Sequence, residues 1–238
     1  MDFRIIKGNI VDANVDAIVL PANSKLKEGS GASAAIFKAA GRKQLTKKCN
    51  EIGYCEVGSA TVTLGYNLGC KCIVHAVVPK WVDGNHDEYD LLSPAYASSL
   101  GVADAIKCRS IAFPLLASGN NGFDLELALE IAVKTIESYE PNSLEDVSIV
   151  IYSNRIASIA KEKGYDVGIL PRNLERDEEE RKKQEKATKF FNDLKEVAQG
   201  IAEDSLQAGL DFLKDPENRK KIYEYGKKIA GIVLNAKG

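Results

Sequence analysis

Short, nearly continuous apolar runs recur along the first two-thirds of the chain, at Phe3–Lys7, Ala17–Leu20, Ser59–Leu64, Cys72–Val77, Ser110–Phe113 and Val147–Tyr152. A strand with one wet face alternates apolar and polar residues, whereas these runs do not, so they predict strands covered on both faces. Segments of helical period lie between several of them. One runs from Ala34 to Cys49 with a break at Gly41, and a less regular one spans Pro94–Cys108. The clearest is Leu125–Tyr139, where Leu125, Ala128, Leu129, Ala132 and Ile136 recur at three- and four-residue steps behind Asp124, a candidate N-cap. Alternating strands and helices predict a three-layer α/β/α domain over residues 1–170.

The pattern changes after Pro171. Residues 171–238 read as a helical extension, dense in both signs of charge at first, with Glu178–Lys182, Glu179–Lys183 and Glu185–Lys189 at the favourable four-residue spacing. Ala187, Phe190, Leu194, Val197 and Ile201 form a short heptad-like seam. Asp215-Pro216 predicts a further helix start, and Ile222, Gly226, Ile229, Ala230 and Val233 share one face beyond it. Such a stripe needs cover, either from the α/β domain itself or from a protein partner or second copy.

Composition narrows the class. With 45% hydrophobic and 28% charged residues the 238-residue chain is that of a globular protein, and its net charge of −2 disfavours bulk attraction to DNA. No apolar stretch reaches transmembrane length, and the N-terminus runs straight into a strand pattern, so a cytoplasmic location is expected. Cys49, Cys55, Cys70, Cys72 and Cys108 show no repeated spacing and read as structural thiols rather than metal ligands. His75, inside an apolar run, reads as a core or strand-end residue. No metal or cofactor is expected.

Two glycine-rich loops carry the chemistry. Gly29-Ser30-Gly31-Ala32-Ser33 and Ser118-Gly119-Asn120-Asn121-Gly122-Phe123 each follow a strand-like run and lead into a helix-like one. Glycine lets backbone approach a ligand, a helix start offers unpaired N–H groups to an anion, and in open α/β sheets ligands bind at the carboxyl ends of strands. Two such loops can hold a diphosphate from opposite sides, which points to a nucleotide-type ligand.

The segment Val15-Asp16-Ala17-Ile18-Val19-Leu20-Pro21-Ala22-Asn23-Ser24, then Gly29-x-Gly31-x-x-x-Ala35-Ile36 and Ala39-Ala40-Gly41, resembles the macro domain family. Ile73 to Trp81 and Phe113 to Phe123 continue the likeness in the family's order, over residues 1 to about 168. The resemblance implies a mixed, mostly parallel six-stranded sheet between helices, and ADP-ribose, free or on an ADP-ribosylated protein, as ligand. It implies a site made of Asn9, Ile10, Asn23, Gly29, Ser30, Gly31, Ala32, Ser33, Ser118, Gly119, Asn120, Asn121, Gly122, Phe123 and Tyr152. In that site Asn9 takes the place of an acidic residue that accepts from the adenine amino group. Tyr152 packs on the adenine, while Asn23 and Phe123 hold the distal ribose.

Departures from the family bear on catalysis. Leu20 and Pro21 replace asparagine and alanine, Asn120-Asn121 replaces an apolar–aromatic pair, and Ser33 stands where many family hydrolases carry an aspartate. A serine cannot supply a carboxylate to activate water. The expectation is a recognition module for ADP-ribose. The alternative is an ADP-ribosyl hydrolase or O-acetyl-ADP-ribose deacetylase in which Asn23 is the positioning residue.

Overall fold

The computed structural model describes residues 1–173 and, beyond them, positions 176–179, 181, 182, 184–186, 188, 189 and 192. The chain divides into two units, Met1–Arg172 and Asn173–Gly238. In the first, β1 (Asp2–Lys7), a 3₁₀ turn (Ile10–Asp12), β2 (Ala17–Ala22), α1 (Ala32–Ala40), α2 (Arg42–Ile52), β3 (Ala60–Leu64) and β4 (Cys72–Val77) come first. α3 (Glu88–Ala105), β5 (Ser110–Pro114), α4 (Leu125–Glu137), β6 (Asp146–Ile151), α5 (Asn154–Glu162) and β7 (Val167–Ile169) follow.

One mixed sheet runs in the order β3-β4-β2-β5-β6-β1-β7. Only β3 is antiparallel to its neighbour, and the rest pair in parallel. The sheet therefore has seven strands rather than the six expected. The extra edge strand, β7, is three residues long with Gly168 at its centre and leaves Ile169 exposed, so no apolar run announced it. α3 begins well before Pro94, which lies inside it, and α5 had no counterpart among the expected helices.

Both faces of the sheet are buried, as the continuous apolar runs require. Ile36, Phe37 and Ala40 of α1 and Leu45 and Cys49 of α2 pack with Ile18, Leu20, Ile73 and Val77 on one side. Leu92, Tyr96 and Leu100 of α3, Leu129, Val133 and Ile136 of α4, and Ala157 and Ala160 of α5 pack with Val19, Val74, Phe113 and Ile149 on the other. Asp124 caps α4 as expected, accepting from the N–H groups of Glu126 and Leu127. Among the described residues no helix is long and apolar enough to cross a membrane.

In the second unit, Asn173 Oδ1 accepts from the Arg176 N–H, and Glu178 pairs with Lys182 at 3.0 Å, as its four-residue spacing predicts. The heptad-like seam, the Asp215-Pro216 start and the Ile222–Val233 stripe lie outside the described residues.

Candidate functional site

The sheet builds a cleft through a fork between two strands. β2 pairs with β4 along its whole length, from Ala17 to Ala22, but with β5 only at Ala17 and Ile18. Beyond Ile18 the two strands part toward their carboxyl ends. Pro21, which has no N–H to give, lies in the part of β2 that no longer pairs with β5. The chain leaving β2 turns to the α1 face and the chain leaving β5 turns to the α4 face. That reversal opens a crevice at the carboxyl ends of a parallel sheet, the place where α/β proteins bind ligands.

Every loop singled out in the sequence lies along this edge, in the strand order β2, β5, β6, β1. The four ends span about 14 Å, three inter-strand spacings of about 4.8 Å. An extended ligand crossing them meets the Asn23–Ser33 loop, the Ser118–Phe123 loop, Tyr152 and Asn9 in turn.

The first loop is held by side chains of its own. Asn23 Oδ1 accepts from the N–H of Lys25 at 3.1 Å and of Lys27 at 3.2 Å, while Nδ2 donates to the Lys27 carbonyl at 2.7 Å. Both lone pairs of the oxygen are thereby taken, leaving one amide hydrogen for a ligand. Asn23 can donate to a sugar hydroxyl but not also accept from one. Ser33 is buried, and its Oγ accepts from the Gly29 N–H at 3.0 Å, which folds the loop onto the start of α1. Gly31 sits at φ 59°, ψ −126°, a conformation essentially reserved for glycine, and a Cβ there would meet nothing within 4 Å. The backbone is open on that side. Ala32 begins α1.

The second loop rests on an aromatic base. Phe123 is 4% exposed and packs edge-on against Trp81, with ring centroids 5.3 Å apart, while Trp81 also meets Tyr89 edge-on at 5.2 Å. Phe123 therefore staples the loop to the core. The Trp81 N–H donates to the Asn121 carbonyl at 2.7 Å, and Gly122, at φ 79°, would bring a Cβ within 3.6 Å of Trp81. Ser118 Oγ donates to Leu115, and the buried Tyr96 hydroxyl accepts from the Leu116 N–H, fixing the base of the loop. Gly119 has open space around its Cα. Sequence reasoning missed Trp81 as a site residue, although it ends the quoted Ile73–Trp81 segment and is the single tryptophan of the chain.

At the tips the two loops touch. Asn120 Nδ2 donates to Ser30 Oγ at 2.8 Å, joining residues ninety positions apart.

At the β1 and β6 end, Tyr152 is 82% exposed, not part of the core rim, so its ring is available to a flat ligand. Asn9 caps the 3₁₀ turn, its Oδ1 taking the Val11 N–H at 3.4 Å. Ile10 is buried in the core beneath the turn.

Charged groups near Trp81 build structure. The buried Glu88 carboxylate accepts from the N–H groups of Val82, Asp83, Gly84 and His86. Removal from water works against its charge, but the backbone bonds from Val82, His86 and Gly84 prevail and hold its pKa near 2. Asp83, His86 and Glu88 offer ligand atoms within 4.8 Å of one another, yet these atoms satisfy each other and the loop backbone. His75 is buried in β4 with one ring nitrogen 2.9 Å from Thr63 Oγ1, and burial lowers its pKa to about 4. It belongs to the core.

The sheet order, the fork and the paired loops define an α/β protein with a cleft at the carboxyl ends of its parallel strands, and comparison with known proteins specifies the family. The Macro domain pattern matches residues 19–132. A macro domain-containing protein of Caldanaerobacter subterraneus subsp. tengcongensis is 43% identical over 156 residues, covering 64% of this chain and 89% of that protein. An O-acetyl-ADP-ribose deacetylase of Escherichia fergusonii is 41% identical over 140 residues, 57% of this chain and 78% of that one. The Oceanobacillus iheyensis macrodomain with ADP superposes with a TM-score of 0.63 at 32% identity, covering 67% of this chain and 87% of that one. The chain belongs to the macro domain family.

Proposed function

We propose that the Met1–Arg172 unit binds ADP-ribose, free or attached to protein, with the diphosphate between the two glycine loops, the distal ribose near Asn23 and the base near Tyr152 and Asn9. The observation that carries this reading is the fork between β2 and β5, with a left-handed glycine on each side of it, Gly31 and Gly122. Backbone N–H groups at such loops bind anions without a charged side chain, which suits a chain of net charge −2. The solved relative that holds ADP supports the nucleotide part of the ligand. Calorimetric titration with ADP-ribose tests the proposal, and absence of heat at millimolar ligand rejects it.

A second reading is hydrolysis of an ADP-ribosyl or O-acetyl-ADP-ribose ester, favoured by the deacetylase at 41% identity. The buried Ser33 hydroxyl is committed to Gly29, so it offers no base. Asn23 would then act by holding the ribose still, since positioning alone supplies a large part of a barrier reduction. Release of acetate from O-acetyl-ADP-ribose measures this directly. The five thiols of the chain suit a cytoplasmic setting. Residues 171–238 would provide a contact for a protein partner or a second copy.

A further inference from the structure

We propose that Ser30 and Asn120 form a clasp across the mouth of the cleft, which must open for ADP-ribose to enter or leave. The inference rests on the binding reading above. Each loop is anchored at its base by bonds to buried groups: Gly29 to Ser33 Oγ in the first, Leu116 to the Tyr96 hydroxyl in the second. At the tips the loops share a single exposed side-chain bond, Asn120 Nδ2 to Ser30 Oγ at 2.8 Å. Anchored bases and a lone contact at the tips are the layout of a gate. Rotation of the Asn120 side chain alone breaks the contact, and the loops need not refold.

The bond also leaves unused hydrogens. Ser30 Oγ acts as acceptor, so its own O–H hydrogen is uncommitted, as is the second hydrogen of Asn120 Nδ2. A closed clasp therefore presents donors rather than lone pairs, suited to lying over phosphate oxygens. A neutral exposed hydrogen bond is worth about a factor of five in an equilibrium. A clasp closed before and after binding slows arrival and departure by that factor, and donors lost from over the phosphates speed departure further.

Trp81 makes the test direct, because its N–H holds the Asn121 carbonyl next to the clasp and no other tryptophan obscures its fluorescence. Stopped-flow mixing with ADP-ribose gives both rate constants for wild type, Ser30→Ala, Asn120→Ala and the double variant. Each single variant should raise association about fivefold and dissociation by at least as much, and the double variant should match the singles in association because both delete one bond. A rise in dissociation alone, with association unchanged, would leave Asn120 and Ser30 as ligand contacts only and overturn the clasp. Additive effects on association, or unchanged rates, would overturn it too. A measurement without ligand separates this from failure of the binding reading. Amide exchange at residues 29–32 and 119–122 should quicken in Asn120→Ala while α4 is unaffected; unchanged exchange there refutes the clasp whether or not ADP-ribose binds.

Discussion

Lys27 closes a ring on Asn23: its N–H meets Oδ1 at 3.2 Å while its carbonyl takes a hydrogen of Nδ2 at 2.7 Å. The residue that most resembles a ribose-binding asparagine is thus also the residue that shapes its own loop, and the two roles use different atoms. The oxygen builds the loop, and one amide hydrogen remains for the ligand.

Substitution separates those roles. Asn23→Asp keeps the acceptors for Lys25 and Lys27 but has no amide hydrogen, whereas Asn23→Ala removes everything. The aspartate variant should melt within roughly 4 °C of wild type, a cost of about one hydrogen bond. Its affinity for ADP-ribose should nevertheless fall at least tenfold, as should that of the alanine variant. Calorimetry checks this, and an aspartate variant that binds like wild type would deny the amide hydrogen any part in recognition.

Tyr152 offers a cleaner probe, since an 82% exposed ring contributes little to folding. Tyr152→Ala should change stability by no more than about 0.5 kcal/mol. Loss of a base-stacking surface should weaken ADP-ribose binding by roughly 1–3 kcal/mol. Ribose 5-phosphate, which has no base, should bind the variant and wild type equally. Equal losses for both ligands would place the base elsewhere.

The division of the chain after Arg172 allows the same site to be tested by truncation. Every candidate ligand residue lies upstream of it, and the core helices α1 to α5 are all contained in Met1–Arg172. A protein ending at Arg172 should unfold in one cooperative transition and bind ADP-ribose with unchanged affinity. A molten fragment would show that residues 173–238 complete its core.

Much of this architecture was legible in the sequence because its causes are local. Fully buried strands such as Cys72–Val77 cannot alternate, and Asp124 ahead of the Ala128–Ile136 stripe marks a helix start within a few residues. β7 was not legible, because pairing with β1 makes Val167–Ile169 a strand while its composition does not. The glycines of both loops stood out for the backbone they permit. The Ser30–Asn120 contact and the service of Trp81 to Asn121 did not, since each depends on which strands become neighbours. The Trp81 bond, moreover, uses a backbone N–H that no side-chain pattern records.

His75 predicts how the fold responds to acid. Burial lowers its pKa from the ordinary 6.5 to about 4, so between these values the unfolded chain takes up a proton that the folded chain refuses. Stability from this group is therefore complete above pH 6.5, declines as pH falls, and is fully lost near pH 4, by roughly 3 kcal/mol in all. Carboxylates with lowered pKa values, such as Glu88, add their own loss only below about pH 4.5, so the interval from pH 6.5 to 5 isolates the histidine. Urea unfolding across that interval should show stability falling toward about 1.4 kcal/mol per pH unit. His75→Asn leaves no group of β4 that titrates in this interval, so whatever it does to stability at pH 7, its profile should be flat there by comparison. A variant that keeps the wild-type slope would assign the proton uptake to another residue.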